Sequence, residues 1–106
     1  MAGRLEGKIA CITGAGSGLG QAMAFRFAEE GATVAAQDLR REAADETVRL
    51  LDGAGHSAFG GDVSDEDDMG LVFGEIYAAY GHLDIQVNNA GAVSYTHLTL
   101  PTICSV

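Results

Sequence analysis

The sequence predicts an α/β fold, a doubly wound parallel sheet with helices on both faces. Three observations carry it. Short apolar runs alternate with longer segments of helical period from Lys8 onward, a glycine-rich stretch falls where the first strand gives way to the first helix, and fifteen glycines accompany a single proline in a chain that is 47% apolar. Alternating strand and helix signals are the mark of crossover units, in which each helix returns the chain so that the next strand runs parallel to the last. A chain of 106 residues holds one domain at most and is short for a complete sheet of this kind, so only the front half of such a domain is expected.

The first strand is read over Lys8 to Thr13, where Ile9, Ala10, Cys11 and Ile12 make the unbroken apolar run of a strand buried on both faces. The first helix is expected from Ser17 to Glu30, with Leu19, Ala22, Met23 and Phe27 inward and Gly31 ending it. Thr33 to Gln37 reads as the second strand. The second helix, Arg40 to Leu51, places Ala44, Val48 and Leu51 at helical spacing, sets Asp45 four residues before Arg49, and stops at Gly53 and Gly55. His56 to Phe59 is the third strand.

A third helix follows, with Ser64 and Asp67 offering a capping-box-like start. Met69, Val72, Phe73, Ile76, Tyr77 and Tyr80 form one continuous apolar stripe along it, read as core. Gly70 and Gly74 inside this helix each cost roughly 1 kcal/mol relative to alanine, so it depends on tertiary packing, and Gly81 terminates it. Asp84 to Asn88 is the fourth strand, where Gln86 is an awkward polar group for a position covered on both faces.

A formal net charge of -9 with only six Lys and Arg argues against nucleic acid as a partner, because binding a polyphosphate needs clustered cations. The acidic residues between Glu42 and Asp52 and between Asp62 and Glu75 read as solvated helix faces. Cys11 and Cys104 lie far apart, in neither a CxxC pair nor a metal-ligand spacing, and His56, His82 and His97 are isolated, so no metal site is expected. No secretory apolar stretch and no membrane-length apolar window occur in the sequence; a soluble, reduced, cytoplasmic protein is expected.

The segment Thr13-Gly14-Ala15-Gly16-Ser17-Gly18-Leu19-Gly20 lies at a buried strand's junction with an amphipathic helix, the place where a dinucleotide pyrophosphate is held in a Rossmann-type domain. Gly14 allows the tight turn, Gly18 lets backbone approach phosphate, and Gly20 permits close helix–strand packing, while the helix amino terminus supplies amides and a positive dipole. The spacing is GxxxGxG, and no Gly-Lys-Ser or Gly-Lys-Thr follows, so this is not a P-loop. Asp38 ends the second strand, roughly twenty residues beyond the turn, where a carboxylate accepts from the adenosine ribose hydroxyls and repels a 2′-phosphate. That favours NAD over NADP, although Arg40 and Arg41 stand just beyond, and Asp38 also reads as a helix-initiating residue.

With Asp62-Val63 after the third strand and Asn88-Asn89-Ala90-Gly91 after the fourth, the glycine segment makes three motifs in order, and over about residues 5 to 92 the chain resembles the short-chain dehydrogenases/reductases. The resemblance implies a sheet in the order 3-2-1-4, adenine contacts from Asp62 and Val63, and a mainly structural Asn88. It further implies cofactor contacts from Asn89, Ala90 and Gly91, with Ser17 and Leu19 on the phosphate and nicotinamide side. Asp62 reads equally as a turn residue. The implied activity of the full-length parent is NAD(P)-dependent hydride transfer to or from an alcohol or carbonyl substrate.

The family's catalytic tyrosine is followed four residues later by a lysine that lowers its pKa. Lys8 is the only lysine here, and Tyr77, Tyr80 and Tyr95 are followed at that spacing by Gly81, Asp84 and Thr99, so no residue is assigned a catalytic role. Ser94 and Tyr95 stand too close to Gly91 for the family's catalytic positions. The domain organisation expected is therefore an NAD(P)-binding half-domain over residues 1–93 and an irregular, non-family tail over 94–106. That tail reads as an out-of-frame extension that leaves the fourth strand an open edge and the family's oligomer interface absent; an intact genomic locus encoding it would overturn that origin. The alternative from another functional class is a non-catalytic dinucleotide- or adenosine-binding module.

Overall fold

The computed structural model describes residues 3–89 and 103–105. Five strands, β1 (Ile9–Thr13), β2 (Thr33–Asp38), β3 (Ser57–Gly60), β4 (Ile85–Asn88) and β5 (Ile103–Ser105), form one sheet in the order β3-β2-β1-β4-β5. Every pairing is parallel. Three helices, α1 (Gly18–Glu29), α2 (Arg41–Leu50) and α3 (Glu66–Tyr80), make the crossovers. The order 3-2-1-4 expected from the sequence is present. β5 lies outside it, with Ile103, Cys104 and Ser105 opposite Gln86, Val87 and Asn88. An irregular tail beside an open β4 edge is therefore corrected at those three residues: an unpaired edge is a template for any strand-forming segment, and one pairs with it.

Side chains of β1 alternate between two cores, as the pleat requires. Ile9 and Cys11 join Ala35 and Phe59 under Met69, Val72, Phe73 and Ile76 of α3. Ile12 joins Val34, Ala36, Ala58 and Val87 under Ala24 and Ala44, the inner residues of α1 and α2. The α3 stripe is thus core up to Ile76. Tyr77 is exposed, and Tyr80 leans on the core while its hydroxyl donates to Gly55 O at 2.6 Å and lies 2.8 Å from Ser57 Oγ.

Several local expectations are corrected by competition between chemically similar neighbours. The cap of α3 is Asp65, whose side chain accepts from the amides of Asp67 and Asp68, while Ser64 bonds to Asp62 instead. A carboxylate at this position accepts two amides beside a positive helix end, which a hydroxyl one residue earlier does not match. On α1, Leu19 is 58% exposed and Ala22 faces outward, because close packing on the sheet is taken by Gly20 and Ala24, with Met23 and Phe27 at the margin. On α2 the ion pair is Arg41–Asp45 at 3.8 Å rather than Asp45–Arg49, and buried Thr47 joins Ala44 on the inner face.

Two buried glutamines sit in the sheet. Gln86 lies 3.4 Å from Val87 O and 3.3 Å from Asn88 Oδ1 through Nε2, and Gln37 donates to Gly61 O at 2.6 Å. The Oε1 of each has no partner among the described residues. His56 is not a free surface residue. Its Nδ1 accepts the Val34 amide at 2.9 Å and its Nε2 lies 2.6 Å from Asp52 O, which assigns a neutral ring with the proton on Nε2. Asp84 ties the opposite end of the sheet, accepting the Ile9 amide at 2.8 Å and returning its own amide to Ile9 O at 2.9 Å.

Candidate dinucleotide site

The carboxyl ends of β1, β2 and β4 are neighbours in the sheet, and the segments that leave them meet above it. This is where open parallel sheets place ligands. The turn after β1 enters with Gly14 at φ 65°, and Gly18 at φ 56° opens α1. Both values lie in the left-handed region, so a side chain at either position would be strained. Among the described residues nothing stands within 4 Å of where a Cβ on Gly18 would point, so backbone there is open to an approaching group. Ser17 precedes the helix in extended conformation, makes no side-chain cap bond, and the first turn of α1 carries no acidic residue. Exposed Ser17 and Leu19 therefore flank a helix amino terminus whose dipole favours an anion.

Gly20 is the tight point. A Cβ there would fall 2.0 Å from Gly14 O and 2.6 Å from Asn89 Nδ2. Asn89 is itself built into the turn, its Nδ2 donating to Gly14 O at 3.3 Å and its amide to Thr13 Oγ1 at 3.0 Å, while the Thr13 hydroxyl donates to Val87 O at 3.2 Å. Asn88 is buried at the end of β4, next to Gln86 Nε2. Ala90 and Gly91 lie outside the described residues.

Asp38, half-buried at the end of β2, faces the same turn. Its Oδ2 accepts the Gly16 amide at 2.9 Å and its Oδ1 the Arg40 amide at 3.2 Å. A carboxylate offers about four acceptor sites, so two stay available to a diol. In the helix-initiating reading Asp38 would cap α2; the cap residue is instead Arg40, whose own side chain makes no cap bond, and Asp38 reaches the helix start only through the Arg40 amide.

The β3–α3 segment is drawn to this centre by the Gly61 amide, which donates to Asp38 O at 3.1 Å. Asp62 Oδ1 accepts the Ser64 hydroxyl at 2.6 Å and the Ser64 amide at 2.9 Å. These two bonds, the hydroxyl first, hold the Asp62 carboxyl below its ordinary range. Val63 packs against the α3 core. Asp62 thus has the self-contained geometry of a turn residue, and it follows Gly61, whose amide reaches Asp38 O.

Sequence reading missed four contributors. Gly16 has no room for a Cβ, which would fall 2.4 Å from Ala43 Cβ; Thr47 donates to Ala15 O at 2.8 Å; Gln21 donates to Thr47 Oγ1 at 3.1 Å; and Gln37 fixes Gly61 O. Only the glycine excess hinted at the first, because each contact joins segments far apart in sequence. Among the described residues no cluster of His, Cys, Asp and Glu could hold a metal ion, and no helix is long and apolar enough to cross a membrane.

Comparison with known proteins agrees with this geometry. The family model described as short chain dehydrogenase matches residues 8–102. The 3-oxoacyl-[acyl-carrier-protein] reductase of Thermotoga maritima is 42% identical over 90 residues, 83% of this chain and 37% of that protein. Human (3R)-3-hydroxyacyl-CoA dehydrogenase is 46% identical over 86 residues, 73% of this chain and 33% of its own length. Among solved structures, the Brucella melitensis 3-ketoacyl-(acyl-carrier-protein) reductase superposes with a TM-score of 0.78 at 42% identity, covering 82% of this chain and 36% of that one. The Escherichia coli hydroxysteroid dehydrogenase does so at 0.79 and 37% identity, covering 84% and 38%. The chain spans little more than a third of its relatives' length, and within that span the glycine turn, the strand order and the Asn-Asn-Ala-Gly segment place it in the short-chain dehydrogenase family.

Proposed function

We propose that this chain binds the adenosine and pyrophosphate portion of NAD, as the cofactor half of an oxidoreductase site acting on an alcohol or carbonyl group. The observation that carries the reading is the Asp38 carboxylate, held by the Gly16 and Arg40 amides beside the glycine turn with acceptor capacity to spare. It would accept from both adenosine ribose hydroxyls. Gly18 and the amides at the head of α1 would hold the pyrophosphate, with Ser17 and Leu19 at the edge leading toward the nicotinamide, and Asp62 and Val63 would border the adenine. Asn89 acts by holding Gly14, and Ala90 and Gly91 complete the contact as the family resemblance implies. Bound there, the dinucleotide supplies a hydride acceptor or donor.

The Brucella melitensis relative is a complex with NADH, which supports a nicotinamide dinucleotide as ligand. Preference for NAD over NADP rests on Asp38, whose charge opposes a 2′-phosphate; Arg41 leans toward Asp45. A reduced cytoplasmic setting fits Cys11, a free thiol in the core. A second reading is a non-catalytic dinucleotide-binding module, in which the Asp38 and glycine-turn geometry serves binding alone.

Calorimetric titration with NAD and NADP tests the proposal. Saturable binding that prefers NAD and loses that preference in Asp38→Ala is expected. A folded chain that binds neither would sink it. Binding without turnover of any alcohol or ketone would support the module reading.

A further inference from the structure

We infer that Thr47, in the middle of α2, is a positioning residue for Asp38 and thereby for the discrimination between NAD and its 2′-phosphorylated form. The inference rests on the dinucleotide-binding reading. Thr47 is fully buried, yet it lies on the inner face of a helix whose other buried residue is Ala44. Threonine is a poor helix former, and its hydroxyl must find a partner when buried. It finds two, one in the glycine turn and one in the first turns of α1. The hydroxyl donates to Ala15 O at 2.8 Å and accepts from Gln21 Nε2, on α1, at 3.1 Å.

The acceptor is one end of a peptide group whose other end is the Gly16 amide. That amide donates to Asp38 Oδ2 at 2.9 Å. Thr47 and Asp38 therefore grip opposite ends of the Ala15–Gly16 peptide plane. Since the plane is rigid, fixing its carbonyl fixes the direction in which its N–H points. Accepting a bond at the carbonyl also polarises the peptide and strengthens donation at the nitrogen. A Cβ on Gly16 would fall 2.4 Å from that of Ala43, one turn before Thr47, so α2 lies close against this peptide. The Thr47 hydroxyl thus orients the carboxylate that reads the ribose, from a position with no ligand contact of its own.

The test is calorimetric titration of the full chain with NAD and with NADP, for wild type, Thr47→Val and Thr47→Ser. Valine keeps the shape and removes the hydroxyl. Loss of one neutral bond corresponds to about a fivefold change in equilibrium. NAD affinity should fall about fivefold in Thr47→Val. NADP affinity should hold within about twofold, because repulsion by the Asp38 charge does not depend on its bonding direction. Thr47→Ser should restore the wild-type ratio. Equal weakening toward both ligands would show a merely structural threonine and overturn the inference, as would an unchanged ratio. Should circular dichroism show that Thr47→Val does not fold, Gln21→Leu removes the amide that orients the hydroxyl, and its NAD-to-NADP ratio should drop about twofold; no drop overturns the relay. A wild type that binds neither ligand, or prefers neither, fails the dinucleotide reading itself and carries this inference down with it.

Discussion

Replacing Gly20 by alanine gives the most direct check on how the site is built. The new Cβ would lie 2.0 Å from Gly14 O and 2.6 Å from Asn89 Nδ2. Ordinary carbon contacts are about 3.5–4.0 Å, so the turn must move away from α1 by more than about 1 Å. Overpacking of this kind costs about 1–3 kcal/mol, and the Asn89–Gly14 bond, already 3.3 Å long, is lost for about 1 kcal/mol more. Alanine's better helix propensity returns about 1 kcal/mol. The net is about 2 kcal/mol of destabilisation, a melting temperature lower by about 8–16 °C for a domain of this size.

Thermal melts followed by far-ultraviolet circular dichroism measure it, with Gly70→Ala and Gly74→Ala as controls. Both control glycines are helical residues of α3, and among the described residues nothing stands within 4 Å of where their Cβ atoms would point, so the same propensity gain is unopposed there. Each should raise the melting temperature by about 4–8 °C. A Gly20→Ala chain that melts within two or so degrees of wild type, or above it, would refute the packing argument. Because the displaced turn also carries the amides proposed to face the pyrophosphate, NAD affinity measured well below the melting temperature should fall as well.

Three further outcomes follow from named bonds. Ser64→Ala removes the hydroxyl that holds the Asp62 carboxyl low, so its titration, read by carboxyl-carbon NMR, should move upward; since the folded pKa is depressed, the stability linked to it is present above the unfolded value and fades as pH falls through the folded one. An unmoved titration would assign the effect to the amide alone. Burial pushes the Cys11 thiol up from 9.0 to about 12, against a smaller lowering by Gln86, so the linked stability is complete below about pH 9 and is lost as pH rises toward 12. In a Cys104→Ser background, iodoacetamide at mildly alkaline pH should label Cys11 only as fast as the chain unfolds, and labelling at the rate of a free thiol would contradict this. His56→Ala strips the Val34 amide of its imidazole acceptor and should cost about 1–2 kcal/mol in a denaturant titration; an unchanged midpoint would show that water replaces the ring.

What the sequence discloses and what it hides divide along a physical line. Strand and helix positions within β1 to β4 and α1 to α3 were readable to within a residue or two, because periodicity and terminating glycines act locally: Gly81 ends α3 at φ 83° and Gly31 follows α1 at φ 94°. The Asp38 and glycine-turn pairing was also readable, since both lie at strand ends and a parallel sheet brings successive strand ends to one edge. Choices among near-equivalent local partners were not. Ser64 and Asp65 both suit a helix cap, and only the path of the chain from β3 gives the position to Asp65.

Least legible was any role fixed by a contact between helices and turn. Periodicity marks Thr47 as merely a weak helix residue; it becomes intelligible once α2 lies over the glycine turn and its hydroxyl reaches Ala15 O. Gly16 likewise reads as a spare glycine until Ala43 arrives beside it. The glycine motif is therefore two devices in one stretch. Gly14 and Gly18 supply backbone conformations that a sequence pattern can announce, whereas Gly16 and Gly20 supply room for neighbours that only the fold brings close. A substitution at the first pair should strain the turn itself, and one at the second should push α2 or Asn89 away from it, so melting temperature and cofactor affinity respond together at all four positions but for different reasons.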